Sequence, residues 1–392
     1  MEFKEYTVEE LVKLNMLEKP MDGNHGEKHP TSKDYVKRGI PFIMVSDINN
    51  GKINYKTCKF ISRSTRDVLD KGFSKPNDVL LSHKATIGLT AIVGKEFEEI
   101  VLTPQLTYYR VKNNINNKYL KYYFDSQYFQ NILNSWATSG STRAYLGITA
   151  QLKLPILLPD MDTQNKIAKI LSDFDKKIEL NNRINDNLLG LGDSLYKEYF
   201  EFENELPKGW KVCKLKDIAN NFDSKRKPMS SREREKHKGK YPYYGATTII
   251  DYVEDYIFDG TYLLMGEDGT VITNNGRPIL QYIWGRNWVN NHAHVLKGNL
   301  ISTEHLMFCL RNTNVRDIIT GAVQPKINQE NMNNIKVIIA DKETNRKFDS
   351  IISAIMKQYK NNVEENKRLE QLRDALLPKL MNGEIDFENI EV

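Results

Sequence analysis

The sequence predicts an α+β protein: two similar β-rich domains joined by two long helices that form an antiparallel, coiled-coil-like spacer with pseudo-two-fold symmetry. Three observations predict it. The first is an internal repeat, in which residues 160–195 lie on 341–376 without a gap at one offset of 181. Identities fall at Asp160/Asp341, Thr163/Thr344, Lys166/Lys347, Ile170/Ile351, Ser172/Ser353, Lys176/Lys357, Asn181/Asn362 and Asn185/Asn366, and continue to Leu195/Leu376. The second is the period of these segments. Ile167, Ile170, Leu171, Phe174 and Ile178 keep to one helix face, extended by Leu188, Leu191, Leu195 and Tyr199. Phe348, Ile351, Ile352, Ile355, Tyr359 and Val363 do the same, then Leu369, Leu372, Leu376 and Leu380. The third is that a run of short strands precedes each helix in the same order. Two similar modules suit a partner that is itself two-fold, such as duplex DNA or a pair of identical subunits.

The chain divides into a first domain at 1–159, a first helix at 160–203, a second domain at 204–340 and a second helix with its tail at 341–392. In the first domain Ile40–Val45, Asp78–Leu81 and Ile100–Leu102 are short apolar runs that read as strands, with a turn at Lys95–Glu99. Tyr119–Trp136 has helical spacing, and Leu154–Leu158 is a strand stopped by Pro159. The second domain answers with strands at Tyr241–Tyr244 and Tyr262–Met265, a helix over His305–Ile319 and a strand at Ile335–Ile339. Asp160 and Asp341 are placed to cap the long helices. Gly190 and Gly192 weaken the first helix, Pro378 should kink or end the second, and Gly383 suits its C-terminal stop. A helix of about 40 residues spans about 60 Å, and an amphipathic helix of that length needs its stripe covered. The simplest cover is the other helix, antiparallel; the alternative is that each packs on its own domain.

Composition bounds the function. A chain of 392 residues with 40 % hydrophobic and 27 % charged residues is an ordinary globular protein of at least two domains. No run reaches the length of a membrane span, and the mixed, acidic start Met1–Tyr6 is unlike a signal peptide. Cys58, Cys213 and Cys309 are odd in number and far apart, so no disulfide framework or metal pair forms, and a cytoplasmic setting is expected. The net charge of +5 permits nucleic-acid binding and argues against an acidic DNA mimic.

Catalytic constellations are missing from the sequence. There is no phosphate-binding Gly-x-x-x-x-Gly-Lys-Ser/Thr loop and no Asn/Asp-Pro-Pro-Tyr/Phe run. Nuclease-like tripeptides at Asp175-Lys176-Lys177 and Glu365-Asn366-Lys367 fall inside the long helices, where a charged face explains them. His292-Ala293-His294 has no apparent third metal ligand, so a structural or DNA-contacting role is expected. Gly266-Glu267-Asp268-Gly269 reads as a β-turn, since its carboxylates repel phosphate.

Several local runs, in order, carry a resemblance. Leu154-Pro155-Ile156-Leu157-Leu158-Pro159 followed by Gln164-Asn165-Lys166-Ile167-Ala168 resembles the entry into the central conserved helix of type I restriction–modification specificity subunits. Leu376-Leu377-Pro378-Lys379-Leu380-Met381-Asn382-Gly383-Glu384-Ile385 resembles that family's C-terminal ending. Leu206-Pro207-Lys208-Gly209-Trp210 resembles the opening of its target-recognition domains, and Tyr241–Gly245 with Tyr262–Gly269 resembles one common recognition-domain type. The second copy departs at Ala340 (Pro159 in the first) and Asn345 (Gln164), and the first domain opens differently, at Phe3-Lys4-Glu5-Tyr6-Thr7. The resemblance implies a non-catalytic, DNA-reading subunit that binds double-stranded DNA, two modification subunits and restriction subunits. It implies no cofactor of its own, with S-adenosylmethionine, ATP and Mg on the partners. The rivals are a specificity subunit of a type II-like enzyme and a coiled-coil scaffold that binds proteins.

Reading DNA needs cations for phosphates and forked or amide side chains for base edges. The candidates in the first domain are Lys33, Arg38, Arg63, Arg66, His83, Lys84, Ser141, Thr142 and Arg143. In the second they are Lys225, Arg226, Lys227, Asn275, Arg277, Gln324 and Lys326. Gly140 and Gly321 keep the offset of 181, which sets Ser141–Arg143 opposite Ala322–Gln324. Lys166, Lys169, Asp173, Lys176, Lys177, Lys347 and Lys357 on the long helices are the candidate docking surface for the modification subunits.

Overall fold

Two helices of 40 residues organise the chain, Met161–Phe200 and Lys342–Met381. The structure, a computed structural model, describes residues 2–137, 144–202, 205–321 and 324–385. Both helices start by the same device. The Asp160 carboxylate accepts from the Thr163 backbone N–H at 2.9 Å and hydroxyl at 2.8 Å, and Asp341 accepts from those of Thr344 at 3.0 and 2.8 Å. The two departures in the repeat leave the next bond intact: Gln164 Nε2 donates to the Pro159 carbonyl and Asn345 Nδ2 to that of Ala340, each at 2.9 Å.

The chain forms two compact units, each containing part of both helices: residues up to Glu179 together with those from Asn366 onward, and Leu180–Glu365. The first unit holds a sheet ordered Thr86–Ile92, Val79–Lys84, Leu106–Tyr109, Met21–Asp22 and another ordered Tyr35–Val36, Lys59–Ile61, Ile40–Ile43, Ile100–Leu102, Phe73–Ser74. The second unit has one ordered Leu280–Ile283, Tyr262–Gly266, Ala293–Gly298, Ala219–Asn221 and one ordered Ile249–Val253, Lys238–Tyr244, Arg286–Val289, Phe258–Asp259. Each unit also pairs a strand near its start with the strand before its long helix, Lys4–Thr7 with Pro155–Leu158 and Lys211–Lys214 with Lys336–Ile339. The parallel pairs correspond as well: Val101 lies opposite Phe42, and Trp288 opposite Tyr243. The repeat seen in the helices therefore runs strand for strand through the domains. The first unit adds Tyr35–Val36 and the hairpin Ile48–Asn49/Lys52–Ile53.

Within each unit the helices pack on each other and on the domain. In the first, Ile167, Ala168 and Leu171 share a core with Leu380, Met381, Val8, Tyr119 and Phe124. Arg373 Nη1 donates to Asp175 Oδ1 at 2.7 Å, and the Tyr122 hydroxyl to Asp175 Oδ2 at 2.6 Å. In the second, Asn362 Nδ2 donates to Asn185 Oδ1 at 2.9 Å and Asn181 Nδ2 to Glu365 Oε2 at 2.8 Å. Numbers rise along one helix as they fall along the other, so the pair is antiparallel. The expected cover and its alternative both hold, since each helix meets the other and sinks its N-terminal turns into its own domain.

Several local expectations change. The apolar stripe excludes Leu191 and Leu372, which are about half exposed, and includes the buried Asn181, Asn185 and Asn362. Tyr119–Trp136 is two helices, Asn117–Asp125 and Gln127–Ala137, because Ser126 is extended and its hydroxyl takes the Phe129 N–H. His305–Ile319 is helical only as Thr303–Arg311, followed by a short 3-10 turn at Arg316–Ile318. The second helix runs through Pro378 to Met381, neither ended by the proline nor given the backbone hydrogen bond that a proline cannot donate, and Gly383 at φ +72° ends it. Among the described residues no helix is long and apolar enough to cross a membrane.

The two glycines of the first helix differ. A Cβ at Gly192 would stand 2.3 Å from the buried ring of Phe308, whereas one at Gly190 would meet nothing within 4 Å. Gly192 thus admits a core aromatic against the helix backbone. Gly190→Ala should stabilise the chain by about 0.5–1 kcal/mol, and Gly192→Ala should destabilise it by about 1–3 kcal/mol. Urea unfolding of both variants checks the opposite signs.

Candidate nucleic-acid interface

The repeat continues into a pair of matched loop frames. In the first domain the His83 N–H donates to the Gln105 carbonyl at 2.9 Å, the Leu146 N–H to that of His83 at 2.9 Å, and the Ala85 N–H to that of Ala144 at 3.1 Å. In the second, the Glu267 N–H donates to the His292 carbonyl at 2.9 Å, the Ile327 N–H to that of Glu267 at 2.9 Å, and the Gly269 N–H to that of Pro325 at 3.1 Å. Lys84 bridges Tyr145 and Asp268 bridges Lys326, and these partners keep the helices' offset of 181. The residue closing each turn has positive φ, Ala85 at +66° and Gly269 at +78°. Glycine takes this conformation freely, while alanine is strained there by about 1–2 kcal/mol.

One backbone frame carries unlike side chains. In the first domain they are Lys84, Tyr145 and Gln105. Lys84 is exposed with its ammonium 5.8 Å from the Tyr145 ring, and Gln105 is half-buried. Beneath them His83 is fully buried, its Nδ1 3.0 Å from the Leu146 carbonyl, and burial pushes its pKa below the ordinary value. In the second domain the corresponding residues are Asp268, Lys326 and His292. His292 Nδ1 lies 2.8 Å from Asp268 Oδ1 and Lys326 Nζ 3.2 Å from Glu267 Oε1. The expected β-turn at Gly266–Gly269 is instead the end of a strand followed by this bridge.

Below the second frame lies a buried ion-pair network. His294 is fully buried, with Nδ1 2.6 Å from Asp223 Oδ2 and Nε2 2.8 Å from the Ile327 carbonyl. Asp223 Oδ1 accepts from the Val295 N–H at 2.8 Å. Burial pushes the Asp223 pKa up, but hydrogen bonding and charge from His294 outweigh it and hold it below the ordinary 3.8. Arg226 Nη1 donates to Glu267 Oε2 at 2.6 Å, and Nη2 lies 3.5 Å from Asp223 Oδ2. Asp223, Glu267 and His294 bring ligand-type atoms within 4.8 Å of one another, but the guanidinium already supplies the cation they face. His294, without His292, is therefore part of an ion-pair network.

The remaining candidates divide by engagement. Arg66 makes a two-pronged pair with Glu99 at 2.6 and 2.7 Å and stacks on Phe73, so it braces the first domain; Arg226 does the same work in the second. With buried His83 they leave the set of free readers. Lys33 and Arg38 are exposed, and Arg63 is exposed beside Asp67 at 3.4 Å. Ser141, Thr142 and Arg143 lie outside the described residues. Lys225 and Lys227 are exposed, with Lys225 Nζ 5.3 Å from the Phe222 ring and the Lys227 carbonyl accepting from Trp288 Nε1 at 2.6 Å. Asn275 is exposed at the tip of a hairpin in which Thr273 pairs with Arg277, and Gln324 is exposed beside the second frame. On the helices Lys166 pairs with Asp162, and Lys169 and Lys176 with Asp173, at 2.8, 3.4 and 2.7 Å. Lys177 and Lys357 are exposed, and Lys347 Nζ is 5.9 Å from the Tyr199 ring. Sequence reading missed Gln105, Asp268 and His292 as frame positions. They come from strand ends without identities, so only backbone pairing brings them together.

A family model described as "Type I restriction modification DNA specificity domain" matches residues 2–189 and 207–373. The chain is 25 % identical to the type I restriction enzyme MjaIX specificity subunit of Methanocaldococcus jannaschii, over 91 % of this chain and 89 % of that protein. It is 32 % identical to a putative type I restriction enzyme specificity subunit of Haemophilus influenzae, over 37 % of each. Its fold is similar to a crystal structure of a type I restriction–modification S subunit from M. genitalium, with a TM-score of 0.54, 18 % identity and 97 % and 96 % of the two chains covered.

Proposed function

The chain belongs to the type I restriction–modification DNA specificity family, and from that membership we propose that its two matched loop frames are the elements that face DNA. The chain is the DNA-binding, non-catalytic specificity subunit of such a system, acting on double-stranded DNA with modification and restriction subunits. Chemistry that needs S-adenosylmethionine, ATP or Mg belongs to those partners, and the assembly works in the cytoplasm. The observation that carries the reading of the frames is their correspondence, with the same backbone bonds in both and with Lys84, Tyr145 and Gln105 replaced by Asp268, Lys326 and His292. A shared frame with different chemistry reads two unlike half-sites. Lys33, Arg38, Lys225, Lys227, Asn275 and Gln324 are the further exposed groups available to phosphates and bases. The helix residues Lys166, Lys169, Asp173, Lys176, Lys177, Lys347 and Lys357 are the surface offered to the modification subunits.

Titration of DNA affinity against salt tests this. Neutralised phosphates release counterions, so log K falls linearly with log salt. Lys84→Ala should reduce the slope by about 1 and weaken all sequences alike. A protein-binding scaffold would show no such slope, and an unchanged slope in the variant would remove Lys84 from the interface.

A further inference from the structure

Beside the first frame is a hollow of about 350 Å³. Lys84, Ala85, Thr86 and Gln105 line one side, and Ser46 and Asn49 the other. Asn49 ends the hairpin strand Ile48–Asn49, whose partner is Lys52–Ile53. The turn between them is Asn50-Gly51, at φ +49° and +73°, which are the left-handed conformations a tight two-residue hairpin requires. This hairpin is one of the two additions that distinguish the first domain from its repeat, and it delivers an exposed carboxamide to the hollow. The opposite wall is also specialised, since the strained Ala85 stands where the second frame has glycine. Strain of this kind persists where the surrounding structure enforces it, commonly at sites that bind.

Gln105 is oriented. The buried Thr103 hydroxyl donates to its Oε1 at 3.2 Å, which fixes the acceptor end of the carboxamide. Two carboxamides beside one exposed ammonium are the side-chain set for purine edges. Asn and Gln pair with adenine through N6 and N7, and Lys reaches a purine N7 or a phosphate. We infer that Gln105 and Asn49, around the hollow beside Lys84, determine an adenine in the first half-site. This rests on the DNA-reading role of the first frame, and it adds two residues and a base to it.

The test maps methylated sites for the assembled modification complex carrying the wild-type chain, Gln105→Ala, Asn49→Ala or Gln105→Glu. The alanine variants should accept other bases at one position of one half-site, losing about tenfold or more in discrimination there, with the other half-site unchanged. Gln105→Glu should move that position toward cytosine, whose N4 donates to a carboxylate. An unchanged motif in both alanine variants overturns the inference, as does relaxation in the other half-site or at a position that is not adenine. Where a variant methylates nothing, its duplex affinity decides. Affinity retained for the wild-type target but equal for duplexes altered at one adenine supports the inference, and affinity lost for every duplex overturns it. Failure of the underlying reading looks different, because the wild-type complex would then bind DNA with no salt dependence that Lys84→Ala alters.

Discussion

Asp223→Ala should lower the stability of the second unit by about 3–5 kcal/mol, the usual cost of removing one partner from a buried ion pair. The Asp223 carboxylate takes hydrogen bonds from His294, from the Val295 N–H and from Asn221 Nδ2 at 3.0 Å. Its loss leaves a fully buried imidazole and a strand N–H without their acceptor. The pH dependence has a definite sign. The folded pKa of Asp223 is depressed below 3.8, so its contribution is fully present above that value and disappears as pH falls through the folded pKa. The gap between wild type and variant should therefore be widest near neutral pH and shrink below about pH 3.8. Urea titrations of both proteins across pH 2.5–7, about the span of carboxylate titration, measure it; a gap that stays constant in acid would contradict the ion-pair account.

Arg110→Ala should cost the first unit a similar amount, about 3–5 kcal/mol. Arg110 Nε and Nη2 each donate to the Asp78 carboxylate at 2.8 Å, Nη2 also to the Phe73 carbonyl at 3.1 Å, and Nη1 to Glu18 at 3.1 Å. Asp78 is 2 % exposed, so the variant strands a carboxylate in the interior. The Ser74 hydroxyl at 2.9 Å and the Lys75 N–H at 2.7 Å remain as donors and temper the loss. A double-mutant cycle with Asp78→Ala should show strong coupling, the double variant being less unstable than the two single losses added together.

The sequence made the helices legible because identity and apolar period coincide there, down to the paired caps at Asp160 and Asp341. It made the more apolar strands legible as short runs. Their common order in the two domains was legible too, but the shorter strands were not, because a sheet tolerates any side chains that fit a half-buried pleat, and Tyr145 and Lys326 likewise hold one place without resembling each other. The interface was legible only as a surplus of cations. Arg66 and Arg226 look like readers in sequence, but their nearest carboxylates, Glu99 and Glu267, are 33 and 41 residues away. Gly192 misled for a related reason, since its local cost is offset by Phe308, which is remote in sequence.

The division of the chain also sets an order of completion during synthesis. Leu180–Glu365 is one uninterrupted stretch, so the second unit holds every part of its core once Glu365 has left the ribosome. The first unit begins earlier and closes later: Leu380 and Met381, which share its core with Val8 and Leu11, are translated after the whole of the second. Until then the part of the first core that Leu380 and Met381 cover stays open, although the first helix already packs there through Ile167, Ala168 and Leu171. A nascent chain thus carries one finished domain and one open one, and a stalled or prematurely terminated product presents that open face to chaperones and proteases.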